Sequence, residues 1–186
     1  MMYKYCLSCG HDVECTMSEM AGSFTVRDQI VTANIKIFKC GTCGAEIYDE
    51  ELEHDNELVV FSAYRDKAGL LQPKDIKRIR DRHGLTQRQF SLLLGFGEKT
   101  VTRYENGSIQ DVAHDLLMRL VESPQSFIEV WQLRREAFTT AEQEKVDKKF
   151  TLCNSAAPLF YQLPCNQLTH MLFSYDTSRK DDDHAN

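Results

Sequence analysis

Four of the seven cysteines in this 186-residue chain form two Cys-x-x-Cys pairs, each followed at once by glycine: Cys6-Leu7-Ser8-Cys9-Gly10 and Cys40-Gly41-Thr42-Cys43-Gly44. The two-residue spacing lets both thiolates of one tight turn face a single ion, and glycine permits the backbone conformation that follows the turn. Two such turns complete a tetrahedron, so Cys6, Cys9, Cys40 and Cys43 are read as the ligands of one structural Zn²⁺. Four thiolates leave no open position for water or substrate, which excludes Lewis-acid catalysis at that ion. The competing reading, free thiols or a redox pair, is disfavoured by the duplication and the trailing glycines. His11 is expected at the surface beside a saturated site, and Cys15, Cys153 and Cys165 have no spacing partner.

The remaining pattern divides the chain. Val31, Ala33, Ile35 and Ile37 alternate with Thr32, Asn34 and Lys36, which predicts a β-ribbon from Ser23 to Lys39 leading into Cys40. Asp49 to Arg65, acidic early and apolar later, reads as a helix leaving the second cysteine pair. Asp66 to Pro73 contains a glycine and ends in a proline that can open the next helix. From Pro73 to about Glu136 helices alternate with turns at Gly84, Gly95, Gly97 and Gly107, and Ser123-Pro124 marks a further helix start. Thr139-Thr140-Ala141-Glu142 is a capping box for one more short helix. The expected fold class is α+β: a small zinc-bound β-ribbon domain (1–66), a linker (67–73), an all-α domain (74–138), and an extension (139–186) that opens with the short helix and is unreadable or partly disordered beyond it.

Charge is distributed unevenly over these parts. Residues 1–71 hold 6 Lys/Arg against 12 Asp/Glu, residues 72–110 hold 8 against 4, and residues 111–186 hold 8 against 12. The middle segment is thus net positive in a chain of net charge −6, which is the local footprint a nucleic-acid-reading module needs. No stretch is apolar enough to span a membrane, and no signal-peptide core follows Met1, so a cytoplasmic location is expected. In that reducing compartment paired cysteines favour metal over disulfide.

Within the basic segment, Leu85 to Gly107 resembles the phage-repressor class of helix-turn-helix without a gap. Thr86 and Gln89 form a Thr-x-x-Gln capping box for the first helix of the motif, with Phe90 and Leu94 on its inward face and Gly95 ending it. Phe96, Val101 and Tyr104 are expected to close a small core. The outer face of the second helix then presents Glu98, Lys99, Thr102 and Arg103, with Lys99 and Arg103 one turn apart. Glu98, Lys99, Thr102 and Arg103 are candidates for base edges, and Gln87 for a phosphate or a base. Lys77, Arg78 and Arg88 are candidates for the DNA backbone. Gly97 departs from the polar residue usual at the N-cap of the second helix. Leu116, Leu117, Leu120, Phe127 and Trp131 offer apolar helical faces for a homodimer, with half-sites about one helical turn apart or a multiple of it.

The order of parts, two cysteine knuckles around a ribbon, an acidic helix, a linker and a helix-turn-helix ending Arg103-Tyr104-Glu105-x-Gly107, resembles the MqsA (YgiT-type) antitoxins over roughly residues 3 to 135. The resemblance implies that the zinc domain binds a ribonuclease toxin and that the second domain dimerises and represses an operon. It also implies zinc at Cys6, Cys9, Cys40 and Cys43 and a base-contacting role for Arg103. The family's other base reader is asparagine where this chain has Lys99, so the operator sequence does not carry over. A stand-alone or prophage zinc-finger/helix-turn-helix regulator without a toxin is the alternative. An enzyme is not expected, because no nucleophile–base constellation, phosphate loop or carboxylate pair stands out.

Overall fold

The computed structural model describes residues 2–154, with side-chain surroundings for residues 2–148. Strands β1 (Met2–Cys6), β2 (His11–Val26), β3 (Gln29–Cys40) and β4 (Glu46–Ile47) form one antiparallel sheet in the order β1-β2-β3-β4. The ribbon expected from Ser23 is therefore longer and begins at His11. Its first half was hard to read because from Thr16 to Gly22 the only large apolar residues, Met17 and Met20, fall on opposite faces and are exposed, while alternation is kept by Val13 and Cys15 alone. The register of β2 with β3 runs without interruption from Cys15 opposite Cys40 to Val26 opposite Gln29.

Helix α1 (Glu50–Ala68) leaves the second knuckle as expected, with Asp49 as N-cap: its carboxylate accepts from the Leu52 amide at 3.0 Å and pairs with Lys4 of β1. The Lys4 ammonium, then the capping amide, holds the Asp49 carboxyl below its usual value. Helix α1 lies along the outer edge of β3. Asn56, nearly buried, accepts from Lys36 N–H and donates to Lys36 C=O, both at 2.8 Å, so one amide side chain replaces a missing strand. On either side of this edge lie two apolar clusters. One joins Val13, Cys15, Phe38, Ile47 and Leu52 around the cysteines, and the other joins Val26, Val31, Ala33, Val60 and Tyr64.

Gly69 ends α1 in the left-handed conformation, and Pro73 opens α2 (Pro73–His83) at its first turn. There follow α3 (Gln87–Leu93), α4 (Thr100–Glu105), α5 (Val112–Leu120), α6 (Pro124–Arg134), a 3₁₀ turn (Arg135–Ala137) and α7 (Thr140–Asn154). Ile76, Ile79, Phe90, Val101, Met118, Val121 and Phe127 are fully enclosed, each side chain worth roughly 1.5 to 3 kcal/mol of burial. Phe127 stacks on His83 with ring centroids 3.8 Å apart, and Trp131 packs on Phe138 at 4.8 Å. Phe127 and Trp131, expected on an interface face, are therefore interior residues, because α6 turns its aromatic side into this core.

Contacts divide the chain into a unit ending at Phe138 and a second beginning at Thr139. In the latter, the Thr139 backbone N–H and hydroxyl both donate to the Glu142 carboxylate, and the Glu142 amide donates back to the hydroxyl, which is the capping box read from the sequence. The expectation for residues 155–186 lies outside the described residues. Among the described residues no helix is long and apolar enough to cross a membrane.

Candidate metal centre and nucleic-acid interface

The four paired cysteines converge. Cys6 Sγ lies 3.6 Å from Cys43 Sγ, Cys9 Sγ lies 3.8 Å from Cys40 Sγ, and all four sulfurs fall within 4.8 Å of one another. A tetrahedron with metal–sulfur bonds of about 2.3 Å has sulfur–sulfur edges of about 3.8 Å, so the donor set fits one metal ion. Each knuckle closes as the sequence implied: Gly10 N–H donates to Cys6 C=O and Gly44 N–H to Cys40 C=O, with both glycines at positive φ, 76° and 73°. Their conformation is one that side-chain-bearing residues adopt only at a cost.

Local electrostatics show why a cation belongs there. The Cys43 and Thr42 backbone N–H groups donate to Cys40 Sγ at 3.3 Å and pull that thiol down to about 6. Hydrogen bonding with Cys43, followed by burial, pushes Cys9 up to about 12. Sulfurs this close do not all ionise by themselves; a bound divalent ion removes the conflict. His11 is exposed and turns Nδ1 to Cys9 C=O at 3.0 Å, outside the cluster. Cys15 is buried and donates to Met2 C=O.

The second site is built on α3 and α4. Thr86 and Gln89 cap α3 reciprocally, and Leu94, not Gly95, is its C-cap, with Gly95 following at φ 74°. Val101 and Tyr104 face inward, as does Thr100, while Phe96 stacks on His114 at 3.8 Å. Gly97 C=O accepts from the Thr100 amide, so α4 begins in a tight turn with Lys99 as N-cap and no side-chain cap.

The eight residues expected at DNA divide by what they already hold. Lys77, Lys99 and Arg103 are exposed, and their side chains make no hydrogen bond or ion pair among the described residues. Arg88 pairs with Glu98 at 3.2 Å, and Arg78 pairs with Glu122 at 2.6 Å and more loosely with Asp75. Gln87 and Thr102 are engaged inside the motif: Gln87 donates to Glu105 at 2.7 Å and accepts from Thr102 at 2.9 Å. Glu105 is in turn gripped by both arms of Arg80, at 2.6 and 3.0 Å, and Arg80 also donates to Leu85 C=O. This pair ties α2 to α4 and was missed from the sequence. Its signal was a charge at an inward position of α2, visible only once the helix faces are known.

A family model described as the antitoxin component of the bacterial toxin-antitoxin system, MqsA, matches residues 2–130. The chain belongs to the MqsA antitoxin family. The match spans both the cysteine cluster and the helix-turn-helix, so the two sites are parts of one MqsA-type architecture. Comparison with curated proteins gives no match. The family supports an antitoxin role, and the four clustered cysteines could hold one metal ion.

Proposed function

We propose that this chain is the antitoxin and autorepressor of a toxin–antitoxin pair. It would work in the cytoplasm, with one structural zinc per chain, a metal-bound region (1–66) that binds a basic ribonuclease toxin, and a helix-turn-helix domain (74–138) that reads operator DNA as a homodimer. The observation that carries the DNA limb is the uncommitted pair Lys99 and Arg103 on α4, whose inner face is locked by Val101, Tyr104 and the Arg80–Glu105 pair. A guanidinium so placed can bond guanine bidentately in the major groove.

Lys77, together with Lys74 on the same helix, supplies phosphate contacts beside it. Arg88 and Arg78 support the same role, since their ion pairs are exposed and exposed pairs are worth only about 0 to 1 kcal/mol, so exchange for a phosphate costs little. Toxin binding by residues 1–66 is supported by charge: the acidic excess of that region grows by about two negative units when four thiolates surround one Zn²⁺, which repels DNA and attracts a cationic ribonuclease.

The test is a binding titration on operator and scrambled duplexes. Arg103→Ala is expected to lose about 1 to 3 kcal/mol on the operator and to relax the preference at one base position. Lys77→Ala is expected to weaken both duplexes alike and to lower the salt slope by about one. Unchanged affinity and selectivity of Arg103→Ala overturns the reading of α4. The toxin limb is tested by co-expressing the neighbouring reading frame: a small basic protein that is toxic alone and silenced by this chain supports it.

A further inference from the structure

The loop that follows α4, Gly107 to Gln110, is held from the side of the metal-bound region by two arginines. Arg65, on α1 and buried, donates through Nη2 to Gly107 C=O and to Ser108 C=O at 2.8 Å, and through Nε to Gln110 Oε1 at 3.2 Å. Arg27, at the tip of the β2–β3 hairpin, donates to Ile109 C=O at 3.0 Å and Gln110 C=O at 3.3 Å. Four consecutive carbonyls of one loop are thus taken by guanidinium groups from two elements far away in sequence. The contact is close: a Cβ on Gly107 would lie 2.2 Å from Leu58 Cδ2 of α1, and Gly107 itself sits at φ 104°. Gln110, fully buried, continues the tie by donating to Leu71 C=O and Asp115 Oδ1.

Two features set this arrangement apart from ordinary packing. Arg65 meets only neutral acceptors and has another cation beside it: burial and the Arg27 charge both lower its pKa. Like charges held without a carboxylate are a poor source of stability; they are held by the loop itself and, for Arg27, by the Tyr64 ring 5.7 Å away. Arg27 is also the one described non-glycine residue at positive φ, 53°. It occupies the first position of a two-residue hairpin turn between Val26 and Gln29, where such a φ favours glycine. An arginine accepts that backbone strain here for what its side chain reaches.

We infer that Arg27 and Arg65 form a latch that positions the recognition helix α4, so that operator reading depends on the metal-bound region through the Gly107–Gln110 loop. The inference rests on the operator-binding reading above. By preorganising α4, the latch spares the complex the cost of selecting one orientation among several.

The experiment uses the full zinc-loaded chain and the variants Arg27→Gly, Arg65→Met and their combination, with two readouts. Amide ¹⁵N relaxation measures whether residues 2–68 and 73–138 tumble together, and titrations measure affinity for operator and scrambled DNA. Wild type is expected to show one correlation time and the double variant two shorter ones, with operator affinity reduced about 10-fold and scrambled-DNA affinity unchanged. Arg27→Gly keeps the test open should Arg65→Met fail to fold, because glycine suits the turn: it is expected to give a smaller loss of the same kind. A single correlation time retained in the folded variants, or separate tumbling with unchanged operator affinity, overturns the latch. A wild-type chain that does not distinguish operator from scrambled DNA overturns the operator reading and the DNA half of this inference, while relaxation still decides whether the two regions are latched.

Discussion

Arg80 and Glu105 show what one residue pair contributes to this molecule. Both side chains are almost wholly enclosed, and their two hydrogen bonds join the helix before the motif to the end of α4. Breaking a buried ion pair by removing one partner typically costs about 3 to 5 kcal/mol, and here Asp81 at 2.7 Å and the Leu85 carbonyl still hold Arg80 when Glu105 is neutralised, so the loss falls toward the lower end. Glu105→Gln is therefore expected to lower the denaturant midpoint markedly, and the double replacement Arg80→Met/Glu105→Gln to recover part of the loss, both read from urea unfolding followed by circular dichroism. Glu105 also anchors Gln87, which in turn anchors Thr102. The same variant should free two polar side chains at the DNA face and broaden base preference even under conditions where it stays folded.

Helix α1 makes the corresponding argument at the scale of an element. It stabilises an open strand edge through a single amide, so Asn56→Leu leaves the part-buried Lys36 N–H and C=O without that partner, at a cost of up to about 1 to 3 kcal/mol each. Hydrogen exchange at Lys36 should rise while exchange in α2 to α6 stays at its wild-type level. Asn56 was not legible in the sequence, since a polar residue in an acidic helix gives no sign that a strand edge awaits it. The two knuckles, the Asp49 start of α1 and the Thr86–Gln89 cap were legible because each is a short-range pattern with one physical solution. Strands β1 and β4 escaped notice because they are short and gain their place only by pairing with β2 and β3. Of the residues expected at a dimer interface, Leu116, Leu117 and Leu120 are exposed, whereas Phe127 and Trp131 are interior, since periodicity alone does not say which of two adjacent helices is inside.

For the whole molecule, that exposed face of α5 fixes a prediction about assembly. Val112, Leu116, Leu117 and Leu120 are between 38% and 63% exposed, and a second copy covering them would bring two α4 helices to one duplex. Leu116→Glu with Leu120→Glu is expected to give a monomer at micromolar concentration by sedimentation and footprints of single half-sites; an unchanged dimer would place the interface elsewhere. Metal removal acts on the other end of the molecule. Strong chelation should unfold residues 1–50 while the helical region keeps its thermal transition, and reloading with zinc should release protons, since the ligands bind as thiolates. The uninterrupted pairing of β2 with β3 gives the metal a further part to play in time as well as in space. A slip of that hairpin by two residues preserves which side chains face which way, so hydrophobic burial corrects it weakly, yet it carries one knuckle roughly 7 Å past the other. Bonds of about 2.3 Å cannot span that gap. The ion can close its coordination shell on one register alone, and refolding in its absence should populate slipped hairpins that zinc, added late, resolves as a slow kinetic phase.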